Sequence, residues 1–166
     1  MGLAAGSGHL RKRTGPKDAE LRLARVCYNH LAGDMGIQMF DSLIRRGYMA
    51  LEHETLHLTD AGATFCNDFE IDIESLRKAR APMCRECLDW SERRSHLAGS
   101  LGRAFLTRFE ELSWAKRDKA TRVVTFSRGG RNAFNRLFPT KIDGVDAPFR
   151  SGIEMCQTGF VGSQID

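Results

Sequence analysis

The chain has 166 residues, 42% of them hydrophobic and 28% charged, with a formal net charge of +4 and a pI near 8.9. That balance fits a globular protein of one ordinary domain, or of two very small units sharing a core, and permits a nucleic-acid partner without demanding one. No apolar run is long enough to cross a bilayer, and the first residues lack the charged and apolar regions of a signal peptide, so the expected setting is the cytoplasm.

Residues 1–17 are small and then basic, through His9-Leu-Arg-Lys-Arg13, as in a flexible arm or interdomain linker. Residues 18–69 read as a first unit. It opens with an amphipathic helix from about Ala19, on the helical spacing of Leu21, Ala24, Tyr28 and Leu31. A second helix runs through Leu43 and Ile44 and stops at Gly47, which tolerates positive φ. Short strands follow near Tyr48–Leu51 and Thr55–Leu58, and Thr59 caps a third helix. Residues 70–88 form a connector, with a helix from Asp72 to Ala81 closed by Pro82 and then Cys84-x-x-Cys87.

Residues 89–138 read as a second unit. Asp89-Trp-Ser-Glu92 resembles a helix-starting capping box. Leu101, Ala104, Phe105, Phe109 and Leu112 make one apolar stripe, and Trp114–Arg117 and Thr121–Phe126 are strands. Ser127 caps a last helix carrying Ala133, Phe134, Leu137 and Phe138. Periodicity ends in residues 139–166, read as an irregular or disordered tail.

The two units echo each other. His30-Leu-Ala-Gly33 returns as His96-Leu-Ala-Gly99, and each copy has another glycine three positions later, at Gly36 and Gly102. Order and register persist through the hairpins, with about two extra residues in the second copy, where a turn tolerates insertion. The expected fold is α+β, mainly α: two tandem degenerate winged-helix-like units, each with a short β-hairpin.

Arg13-Thr-Gly-Pro-Lys-Asp18, Ala24 through Gly33, and Cys87-Leu-Asp-Trp-Ser-Glu-Arg-Arg94 with the following His96-Leu-Ala-Gly99 resemble the segment after the DNA-binding domain in a subset of ArsR-type winged-helix regulators. The resemblance spans roughly residues 13–138. It implies a non-enzymatic, cytoplasmic transcriptional regulator of repressor type, working as a homodimer. This chain matches the effector-sensing or dimerisation part, and the helix-turn-helix that reads DNA is expected in a missing N-terminal domain. DNA reading by the chain alone is accordingly weak or nil. An alternative is a thiol- or metal-responsive module acting through a partner protein.

Five cysteines in no dense framework read as free thiols. Cys84 and Cys87 have the spacing of ligands to Zn²⁺ or another thiophilic ion, with Cys27, Cys66, His30, His96 and Asp89 as scattered candidates to complete a site. The same pair, beside Arg85 and Arg94, also reads as a redox sensor. His30 and His96, at equivalent repeat positions, read as structural, each bonding a backbone carbonyl. Lys116, Arg117, Lys119 and Arg122 on the second hairpin are candidate phosphate contacts to DNA, a solvated hairpin being the plainer alternative. Leu21, Ala24 and Tyr28 suit a dimer seam. No nucleophile elbow surrounds Ser91, and Trp90 reads as a core anchor.

Overall fold

A computed structural model describes residues 18–89 and 91–141. The terminal arm, the side chain of Trp90 and most of the C-terminal tail thus lie outside the described residues. The order helix, hairpin, helix, hairpin, helix occurs twice. The first copy runs α1 (Ala19–Leu23), β1 (Arg25–Cys27), β2 (His30–Ala32), α2 (Asp34–Arg45), β3 (Met49–Glu52), β4 (Thr55–Leu58) and α3 (Asp60–Asp68). The second runs α4 (Ile73–Lys78), β5 (Arg85–Asp89), β6 (Arg94–Ala98), α5 (Gly99–Glu111), β7 (Ala115–Arg117), β8 (Val124–Phe126) and α6 (Arg128–Leu137). The fold is α+β, but a hairpin stands where the first long helix of each expected winged-helix-like unit should be.

That difference has a local cause. α1 ends at Leu23 because Ala24 turns extended, at φ −155° and ψ 128°. Tyr28 then reverses the chain at φ 56°, so that Arg25, Val26 and Cys27 pair with Ala32, Leu31 and His30. Strands of three residues are too short to display alternation, so the spacing of Leu21, Ala24, Tyr28 and Leu31 mimicked a helix. Likewise Asp89 ends a strand rather than starting a helix: Arg85 to Asp89 pair in order with Ala98 to Arg94. The expected dimer seam is dispersed by the same change. Ala24 is wholly buried within the chain, while Tyr28 stands free at a hairpin tip.

The caps expected at Thr59 and Ser127 are present. Thr59 Oγ1 accepts from Gly62 N at 3.1 Å, and Ser127 Oγ accepts from Gly130 N at 3.0 Å.

The repeated glycines belong to the start of the long helices. Gly33 and Gly99 have φ of 81° and 86°. A Cβ at either would stand 2.5 Å from a backbone oxygen, of Arg22 or of Met83. One turn on, a Cβ at Gly36 or Gly102 would press on the Leu31 or Leu97 carbonyl at 2.5 or 2.4 Å. His-Leu-Ala-Gly-x-x-Gly is thus the sequence of a strand that turns sharply into a helix lying against that strand's own backbone.

The two copies interlock. α2 packs on β6 of the other copy, and α5 packs on β2. β1 lies along β8, with Val26 N donating to Arg122 O at 2.9 Å and Val124 N donating to Ala24 O at 3.0 Å. β5 correspondingly touches β4. One core results, containing Leu31, Met39, Leu43 and Met49 from the first copy and Leu97, Phe105, Phe109 and Phe134 from the second. Reciprocal contacts of this kind are those of two units related by an approximate twofold axis, and on it β2 meets β6.

Candidate metal centre

In an antiparallel pair, directly opposed residues project from the same face of the hairpin. Cys27 opposes His30 in the first hairpin, and Cys87 opposes His96 in the second. Each hairpin therefore presents one thiol and one imidazole together, and the reciprocal packing turns the two presentations toward each other. Cys27 Sγ lies 4.0 Å from Cys87 Sγ, and His30 Nε2 lies 3.1 Å from His96 Nε2. One donor atom from each of the four residues falls within 4.8 Å of every other. Both histidines are buried and both cysteines half-buried.

Burial sets the protonation of this cluster. It lowers both histidines, His30 to about 4 with help from the neighbouring His96, so the imidazoles are neutral and have lone pairs to offer. It also raises the Cys27 thiol to about 11, with Cys87 adding to the effect. The role expected of the histidines is corrected: their rings face each other rather than capping backbone carbonyls. The Nδ1 of His30 lies 3.3 Å from Asn29 Oδ1, whereas the buried Nδ1 of His96 has no partner among the described residues.

Cys84 is placed apart from Cys87 and from the cluster. Cys84 stands one residue before β5, and positions three apart along an extended chain project to opposite sides. Cys87 turns to the cluster, whereas Cys84 lies near Leu58 and Cys66. Burial raises Cys84 to about 11 and Cys66 to about 12, as expected of thiols packed in apolar surroundings.

Asp89, two residues beyond Cys87, is a brace beside the cluster. Its carboxylate accepts from Arg25 at 2.5 Å, from Ser91 Oγ at 2.5 Å and from Ser91 N at 3.0 Å. Gly33 N approaches it at 3.4 Å. Burial alone would raise its pKa; the Ser91 hydrogen bonds and the Arg25 charge outweigh this and keep it ionised. One side chain so joins the second hairpin to the first and to the start of α2.

Two clefts flank the cluster. The smaller, of about 360 Å³, is walled by His30, Cys87, Tyr28, Arg85 and Arg103. The larger, of about 820 Å³, lies between the β1–β2 turn and the basic hairpin, against Cys27, Arg117, Lys119 and Arg122. Of the four cations singled out on that hairpin, Lys116, Lys119 and Arg122 are exposed. Arg117 is held by Glu110, donating to its carboxylate at 2.8 and 2.5 Å.

Compared with known proteins, the chain is 40% identical over 123 residues to the uncharacterised HTH-type transcriptional regulator YdfF of Bacillus subtilis (strain 168). The match covers 74% of this chain and 54% of that protein, so the chain spans about half the length of the relative. No family model matches, and no solved structure matches. Among the described residues, no helix is long and apolar enough to cross a membrane.

Proposed function

We propose that this chain is the effector-sensing and dimerising part of an ArsR-type transcriptional repressor, a cytoplasmic homodimer in which these residues set how tightly helix-turn-helix elements hold operator DNA. The similarity to an HTH-type regulator across 123 residues carries the reading. The architecture agrees with it. Among the described residues the long helices α2 and α5 each run straight into a hairpin, and the one direct helix-to-helix succession joins α3 to α4, a helix of only six residues. Lys116, Lys119 and Arg122 offer supplementary, sequence-independent phosphate contacts. Exposed apolar side chains at hairpin positions, Tyr28 and Leu88 directly after the two cysteines, supply material for a dimer contact.

The test is chromatin immunoprecipitation of the tagged native protein, with transcript profiling after deletion of its gene. A small set of occupied promoters whose transcripts rise on deletion is expected; occupancy of no promoter refutes the reading. Separately, the purified chain should shift DNA only weakly and in a salt-dependent way, and less so when Lys116, Lys119 and Arg122 are changed to Ala. A shift unaltered by that triple change removes the hairpin as a contact.

A second reading, a thiol- or metal-responsive module working through a partner protein, is favoured by the convergence of Cys27 and Cys87. Promoter occupancy separates the two, because a module of that kind reaches DNA only when its partner is present.

A further inference from the structure

We propose that Cys27, His30, Cys87 and His96 form a closed, four-coordinate site for one thiophilic divalent ion of the Zn²⁺ class, which clasps the two repeats at their junction. The inference rests on the geometry of these residues and stands whether or not the chain senses an effector.

An ion of this class binds sulfur at about 2.3 Å and imidazole nitrogen at about 2.0–2.1 Å, usually with four ligands at the corners of a tetrahedron. The edges of such a tetrahedron are roughly 3.8 Å between sulfurs and roughly 3.3 Å between nitrogens. The separations here are 4.0 Å and 3.1 Å. Two edges of the tetrahedron are therefore near their required lengths, and the four sulfur-to-nitrogen edges, all within 4.8 Å, must shorten to roughly 3.5 Å as the side chains close on the ion.

The donor types point the same way. Two thiols and two imidazoles suit zinc, and closed structural zinc sites commonly have this composition. Loss of the two thiol protons on binding offsets the charge of a divalent ion, so a neutral centre can sit in a buried place. Asn29 approaches the ring nitrogen of His30 that faces away from the site, which leaves Nε2 to the ion. The cleft walled by His30 and Cys87 provides an entry path.

The construction of the junction also fits. The two rings meet with their Nε2 atoms together at the point where β2 of one copy crosses β6 of the other. Gly102 leaves room for the ring of the other copy, since a Cβ there would press on that of His30 at 3.3 Å, whereas one at Gly36 would make an ordinary contact with that of His96 at 3.6 Å. Each copy thus gives one thiol and one imidazole, and neither completes a site alone. In the second copy, Gly102 has the further role of admitting the other copy's ligand.

The experiment uses the whole chain, reduced, stripped with a chelator and titrated with Zn²⁺ or Co²⁺. One equivalent should bind, and Co²⁺ should show the intense visible bands of a tetrahedral ion with thiolate-to-metal charge transfer. X-ray absorption of the zinc form should give two sulfurs at about 2.3 Å and two nitrogens at about 2.0 Å. Cys27→Ser should halve the charge-transfer intensity, and Cys27→Ser with Cys87→Ser should abolish binding, while Cys66→Ser with Cys84→Ser leaves it intact. At about a thousand-fold excess of free Zn²⁺ over Kd, the Tm of the unaltered protein should rise by roughly 10 °C.

No uptake, an octahedral spectrum, a shell without two sulfurs, or loss of binding in the Cys66/Cys84 variant overturns the proposal. The absorption measurement needs no variant, so it decides the ligand set even if a substituted protein fails to fold. A protein that binds the ion but occupies no promoter keeps this site and loses the regulatory reading; promoter occupancy without metal uptake does the reverse.

Discussion

Asp89 is almost wholly inaccessible, and its partner Arg25 is 13% exposed. Removing the carboxylate leaves a guanidinium without its charge partner inside the junction, and breaking a buried pair costs more than the pair contributes as a whole. Asp89→Ala should lower stability by about 3 kcal/mol, read from urea midpoints, and Asp89→Asn, which can still accept from Ser91, should lose less. Equal losses would show that the charge, rather than hydrogen bonding, braces the hairpins. The sequence marks Asp89 only as a capping residue or a scattered ligand candidate. Its buried partner Arg25 is 64 positions away, a relation that no local pattern encodes.

Among the elements, the hairpin-to-helix joint repeated at Gly33 and Gly99 tolerates least change. Its glycines combine positive φ with a carbonyl where a side chain would begin. Gly33→Ala should therefore cost at least about 2 kcal/mol. Gly129, inside α6 with nothing within 4 Å of an added Cβ, should respond oppositely, and Gly129→Ala should stabilise by about 0.5–1 kcal/mol. Thermal or urea unfolding of both variants checks the pair, and a stabilising Gly33→Ala would refute the account of the joint. Caps and glycines are legible from sequence because they act over three or four residues. The first hairpin of the first copy is hidden because helical spacing and a pair of three-residue strands produce similar apolar patterns, and that of the second copy, with strands of five residues, because Asp89 to Glu92 imitates a helix start. The loop between ligands also differs, Cys27 preceding His30 by three positions and Cys87 preceding His96 by nine, so the repeat did not bring the four into register.

For the whole molecule, the interlocked core predicts that neither copy unfolds first. The chain has two tryptophans, at 90 and 114, both in the second copy, whereas far-UV circular dichroism reports both copies. Urea transitions followed by the two signals should coincide. An earlier loss of ellipticity would mean that the first copy melts separately. Phe109 is fully buried and ringed by Trp114, Phe105, Phe134 and Phe138. Phe109→Ala should cost about 3–5 kcal/mol and move both signals together.

By itself the sequence determined the repeat, the places where helices start, the glycines that permit sharp joints and the likeness to a regulator, because each is written in neighbouring residues. Tertiary structure alone decided which thiols and imidazoles meet. Facing across the junction depends on strand register and on how one copy docks into the other, and a one-residue change of register turns a side chain to the opposite face. For that reason Cys84, adjacent in sequence, stands apart from the centre, while Cys27, from the other copy, belongs to it.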